Sequence, residues 1–213
     1  MSVMEVISHR GYWKTAPEKN LEVAFERSFA LGFGTETDIR DQNGRLVISH
    51  DMPTGEVLSL DTYLDCLARS ATRPLLQALN IKADGLAKPL AAAMKGNPNP
   101  WFVFDMSLPD TLMQLQAGNP VYMRLSEYET IPTRLEARIK GIWLDAFEGL
   151  WYDVDTIGAL LNRGLSVCVV SPELHEREDH VELWTSLRPL RHRTGLSLCT
   201  DLPEQARTAL GLN

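Results

Sequence analysis

The chain has 213 residues, 44% of them hydrophobic and 23% charged. These are globular proportions with enough length for one sizeable core, which excludes a disordered, collagenous or disulfide-stapled chain. Against 28 Asp and Glu stand only 21 Lys and Arg, a net charge of −7, which argues against nucleic-acid binding through a broad basic surface. An anionic small molecule remains admissible if a metal ion or a few aimed cations supply local positive charge.

No window offers the ~18–20 uncharged apolar residues of a membrane span, and residues 1–8 lack the basic and apolar regions of a secretory signal. Cys66, Cys168 and Cys199 are odd in number and have no Cys-x-x-Cys spacing. They are expected as reduced thiols in a cytoplasmic protein, with neither a disulfide framework nor a thiolate zinc site.

In chain order, strand-like runs are expected at residues 5–8, 35–39, 75–81, 101–104, 121–125, 141–145, 165–170 and 196–200. Between most of them lie segments of helical character at 21–31, 60–68, 85–94, 110–117, 133–139, 154–162 and 181–187, with a closing helix at 203–210. Strands alternating with helices imply parallel βα units. Eight such units predict an α/β chain folded as a (β/α)8 TIM barrel, a single domain over residues 1–213, with an open doubly wound sheet as the alternative. One small hairpin interrupts the alternation: Asn43-Gly44 follows the second strand, and Leu46-Val47-Ile48-Ser49 reads as the returning arm, ending in His50-Asp51.

Polar residues gather at the C-terminal ends of the predicted strands, the end of a barrel where sites lie. Glu36 and Asp38, two apart on one strand, project from the same face. They are either two salt-bridged acids or the oxygen ligands of a hard cation such as Mg²⁺ or Ca²⁺. Asn80 and Lys82 repeat the spacing on the next strand, an amide oxygen to complete the coordination and an ammonium to hold an anion. His9 and His50 flank this group and suit proton exchange near neutral pH. His175, His180 and His192 fall in polar segments and are expected in solvent, as is the charge-rich turn at 173–179.

Four separated stretches, His9-Arg10-Gly11, Pro17-Glu18-Lys19-Asn20, Glu36-Thr37-Asp38 and Gly44-Arg45-Leu46-Val47-Ile48-Ser49-His50-Asp51, resemble the glycerophosphodiester phosphodiesterase family in order and spacing. Leu79-Asn80-Ile81-Lys82 is similar to the family's later acid-x-Lys strand, and Thr200-Asp201-Leu202-Pro203 to its closing Thr-Asp-x-Pro. The resemblance implies a (β/α)8 barrel that hydrolyses a small-molecule phosphodiester, such as a glycerophosphodiester, with one divalent metal ion: Mg²⁺ or Ca²⁺, with Mn²⁺ as a further option. Carried over, His9 and His50 are the acid–base pair. Arg10 and Lys82 contact the phosphate, and Glu36 and Asp38 ligate the metal, with Asn80 standing where the family usually has a carboxylate.

The same residues leave two other functions open: a phospholipase-like reaction through a cyclic phosphate, and a non-catalytic barrel that binds phosphate esters. Tyr12 and Trp13, which follow the His-Arg-Gly run, are candidates for lining the pocket, as are Arg124 and Trp143. For Arg124 a salt bridge to Asp145 or Glu127 is the simpler expectation.

Overall fold

The protein is described over residues 4–212 by a computed structural model. Eight strands follow one another along the chain with a helix between successive strands, except before residues 141–144, where turns take the helix's place; neighbouring strands pair in parallel, and the added hairpin is antiparallel. This is the order and pairing of a (β/α)8 barrel. By their internal packing the residues divide into two units, 8–121 and 122–212 with 4–7.

In the unit 8–121, the end of β1 (Glu5–His9) is followed by α1 (Glu22–Ala30), β2 (Gly34–Gln42) and the hairpin arm β3 (Arg45–Ile48). Then come α2 (Leu60–Ser70), β4 (Gln77–Ile81), α3 (Ala87–Ala93), β5 (Trp101–Phe104) and α4 (Leu108–Ala117). β2 pairs with β4 so that Asp38 faces Asn80, and β4 with β5 so that Asn80 faces Phe104. Asn43 and Gly44 both take positive φ (52° and 77°), which a tight hairpin turn requires, and Gln42 returns opposite Arg45.

Helix α1 buries Ala24, Phe25, Ser28 and Phe29, a stripe at helical spacing. Phe25 and Phe29 meet Tyr63 of α2 edge-to-face, with the Phe25 and Tyr63 centroids 4.9 Å apart. α2 starts at Ser59, whose hydroxyl accepts the Thr62 N–H at 3.1 Å, and α4 starts at Ser107 in the same way.

In the second unit β6 (Tyr122–Leu125), β7 (Gly141–Leu144), β8 (Ser166–Val170) and β9 (Leu196–Thr200) pair in that order, all parallel. Every residue of β7 and β9 is buried, as a parallel sheet covered on both faces demands. Helices α5 (Val154–Asn162), α6 (His180–Leu187) and α7 (Pro203–Leu210) follow the strands.

The helix expected at 133–139 is a run of turns. The Pro132 carbonyl accepts the Leu135 N–H at 2.8 Å, and Leu135 and Ile139 are buried. Two apolar side chains are covered without the cost of nucleating a helix. No described helix is long and apolar enough to cross a membrane. Cys66, Cys168 and Cys199 are free and buried.

Candidate active site

The unit 8–121 brings polar side chains together from β1, β2 and β4 and the segments that follow them. Period-two geometry sends Glu36 and Asp38 to one face of β2, where both are buried. Arg10 leaves the end of β1 with φ +56°, a left-handed conformation uncommon for a side chain of its size. Gly11 follows at φ +81°, where a Cβ would stand 2.7 Å from the Ala24 Cβ and 2.9 Å from its carbonyl carbon. The His-Arg-Gly run is therefore shaped by backbone: only glycine lets α1 pack this close to the turn that delivers Arg10.

Asp38 is the centre of the cluster. Its Oδ2 accepts a hydrogen bond from Asn20 Nδ2 at 2.7 Å and lies 2.9 Å from Arg10 Nε, while its Oδ1 is 3.5 Å from Lys82 Nζ. Asn20 is itself held by the Thr37 hydroxyl, which donates to its Oδ1 at 2.9 Å. Lys82 also lies 3.6 Å from Asp105 Oδ2. His9 Nε2 is 3.9 Å from Glu36 Oε2. Burial, and the neighbouring Asp38, push the Glu36 carboxyl up to about 7, against the pull of His9, Arg10 and Lys82.

His50 sits beyond the hairpin arm. The Ser49 N–H donates to the Asp38 carbonyl at 3.0 Å, which ties this segment to the centre of β2. His50 Nδ1 is 2.9 Å from Asp51 Oδ1, and its carbonyl accepts from Arg40 Nε at 3.0 Å. Arg10, Asn20 and His50 line one open cavity of about 480 Å³. Tyr12 stands edge-on to Phe33 with Lys14 over its ring, and Trp13 carries Lys19 over its face.

Three buried oxygens here have no hydrogen-bond partner: Glu36 Oε2, Asp38 Oδ1 and Asn80 Oδ1. Buried polar atoms are nearly always paired. Two carboxylates and an amide carbonyl left in this condition are the hard oxygen donors that Mg²⁺ or Ca²⁺ takes, so the residues fit such an ion. A second acidic group is a poorer candidate. Glu22, Glu26 and Cys66 are the described acid, His or Cys side chains that bring three ligand atoms within 4.8 Å. Arg69 already occupies both carboxylates at 2.8 and 3.4 Å, and burial pushes the Cys66 thiol up to about 11, where it stays protonated.

Arg124 and Trp143 belong to the other unit. Trp143 is buried, and Arg124 pairs with Asp145 at 3.1 Å, as expected, but with Glu129 at 3.3 Å and not with Glu127. His175, expected in solvent, places its Nε2 2.6 Å from Asp145 Oδ1 and packs on Phe147. The turn at 173–179 is likewise no solvated loop. Glu173 accepts from the Ser171 and Thr200 hydroxyls and the Asp201 N–H, and Arg177 donates to the Ala146 carbonyl at 2.7 Å. Charge-rich composition is all the sequence offers at this turn, and its partners come from distant strand ends.

Two further residues of the first cluster carried no expected role. Asn20 lies inside the Pro17-Glu18-Lys19-Asn20 stretch, which is its signal in the sequence. Asp105 is an acid just after a strand, and nothing in its sequence neighbours signals a link to Lys82.

No protein-family model matches the chain, and no curated protein matches it. Among the solved structures that are similar over nearly the whole length are two of the same named activity. One is a glycerophosphodiester phosphodiesterase from Parabacteroides distasonis ATCC 8503, with 20% identity, 98% of this chain and 97% of that chain covered, and a TM-score of 0.70. The other is a glycerophosphodiester phosphodiesterase from Agrobacterium tumefaciens str. C58, with 17% identity, 98% and 99% coverage, and a TM-score of 0.70. At these identities the likeness is one of fold.

Proposed function

We propose that this chain is a phosphoric diester hydrolase, one domain over residues 1–213, that cleaves a glycerophosphodiester to glycerol 3-phosphate and an alcohol. One observation carries the reading: two strand-end cations, Arg10 and Lys82, meet around Asp38 beside three buried oxygens that lack hydrogen-bond partners. That two solved structures of the same fold are named glycerophosphodiester phosphodiesterases supports the same reaction class.

A phosphodiester resists attack because its negative charge repels nucleophiles. Arg10 and Lys82 bind the phosphoryl oxygens, the guanidinium through paired donors and the ammonium as a point charge. Glu36, Asp38 and Asn80 would hold one divalent ion, Mg²⁺, Ca²⁺ or Mn²⁺, which when bound neutralises the charge that grows on the non-bridging oxygens. One of His9 and His50 takes the proton of the attacking oxygen, and the other returns a proton to the departing alcohol. Asp51 holds the His50 ring by Nδ1 and leaves Nε2 for that exchange.

The test is turnover of an aryl phosphodiester and of glycerophosphocholine, glycerophosphoethanolamine, glycerophosphoglycerol and glycerophosphoinositol. Each is run with Mg²⁺, Mn²⁺ or Ca²⁺, with and without chelator, and the products are read by phosphorus NMR. Glycerol 3-phosphate is expected. A cyclic phosphate would show transesterification instead, and binding without turnover would show a non-catalytic barrel. Activity that chelator leaves untouched would remove the metal from the reading. His9→Ala and His50→Ala should each lose ~10²–10⁴-fold in rate; a variant that keeps near-full activity would break the pairing.

A further inference from the structure

We infer that Asp105 is a positioning residue of this site: it supplies the negative charge that Asn80 does not, and it anchors Lys82 when a divalent cation takes Asp38. The inference rests on the metal-bearing site proposed above.

The charges around Asp38 set the problem. With their carboxyls ionised, Glu36 and Asp38 are opposed by Arg10 and Lys82, and the amide of Asn80 is neutral, so these five side chains then sum to zero. An entering divalent ion gains no net attraction from such a set. It also meets a competitor, because Asp38 Oδ1, one of the three buried oxygens without a hydrogen bond, already has the Lys82 ammonium 3.5 Å away.

Asp105 changes both conditions. It is the residue after Phe104, and Phe104 is the cross-strand partner of Asn80. Its backbone takes φ +71°, a left-handed conformation that Asp and Asn tolerate better than most other side chains. Its carboxylate lies 3.6 Å from the same ammonium, so Lys82 stands almost midway between two acids. Asp105 adds one negative charge to these five side chains. When Asp38 Oδ1 is given up to the ion, Lys82 stays paired with Asp105 and stays in the site. Without Asp105 the ammonium and the ion contend for one buried oxygen.

The experiment is calorimetric titration of the apo chain with Mg²⁺, Ca²⁺ and Mn²⁺, a readout independent of turnover. Asp105→Asn removes the charge and keeps a residue suited to positive φ, so the fold is retained. It should weaken metal binding about 10–100-fold. Asp105→Glu should stay within a few-fold of the parent. Moving the acid, in Asp105→Asn with Asn80→Glu, should restore affinity. So should Asp105→Asn with Lys82→Met, which removes the competitor.

Unchanged affinity in Asp105→Asn overturns the inference, and so does a loss that neither second substitution recovers in a chain with the parent's circular dichroism. A parent that binds none of the three ions overturns it together with the metal part of the proposed function. Tight metal binding that depends on Asp105 in a chain that turns over no diester would leave the inference standing and defeat the hydrolase.

Discussion

Asn20 touches Asp38 directly, and its contribution can be isolated. It donates to Oδ2 at 2.7 Å while Thr37 fixes its own carbonyl, so the amide has one orientation. A hydrogen bond to a charged group contributes about 1.5–3 kcal/mol. Asn20→Ala is expected to cut kcat/KM about tenfold or more, and Asn20→Asp, which sets a second anion against Asp38, to cut it further. Steady-state kinetics on the preferred diester checks both. Glu36 governs the pH behaviour. Its carboxyl is raised from 4.5 to about 7 in the folded chain, so the folded state holds the proton more tightly than the unfolded state does. The stability this group contributes is full below 4.5 and is lost as pH rises through 7. The thermal midpoint of the metal-free parent, compared with Glu36→Gln, should therefore fall between pH 5 and pH 8. Parallel profiles for the two chains would contradict the burial of a titrating Glu36.

At the scale of elements, the turn between β1 and α1 does the positioning. Gly11 holds φ +81° with Ala24 against it, and its N–H donates to the Thr35 hydroxyl at 2.9 Å. Gly11→Ala must shift the start of α1 and with it Arg10. A loss of about 2 kcal/mol or more in urea unfolding is expected, together with weaker substrate binding. The hairpin acts in the same way on the other side of β2, since Ser49 bonds to the Asp38 backbone and so sets where His50 begins. The hairpin was legible in the residues, because Asn-Gly announces it; the constraint on Gly11 was not, because it is the packing of Ala24 that leaves no room for a side chain there. The failed helix at 133–139 shows the limit. Period counting cannot tell a short helix from a set of turns when only Leu135 and Ile139 need cover.

For the whole molecule, metal binding is a stability statement. An ion that binds only the folded chain at 100 times its Kd adds about 2.7 kcal/mol. For a chain of this length that is a rise of about 5–10 °C in Tm. Saturating Ca²⁺ or Mg²⁺ should produce such a rise in the parent and none in Glu36→Gln with Asp38→Asn, as differential scanning calorimetry would show. An equal rise in both would place the ion elsewhere.

Alternation of strand and helix, the two-residue spacing of Glu36 with Asp38 and of Asn80 with Lys82, and the hairpin that carries His50 are all properties of neighbours along the chain. Residue order alone was enough to determine them, because backbone periods of 2 and 3.6 act locally. The allocation of charge was decided only in three dimensions. That Lys82 is shared by Asp38 and Asp105, that Asn20 serves Asp38, and that His175 leaves solvent for Asp145 all depend on strand ends far apart in sequence arriving within 4 Å of each other. Burial then forces each charge to find a partner, and no period in the sequence encodes which one it finds.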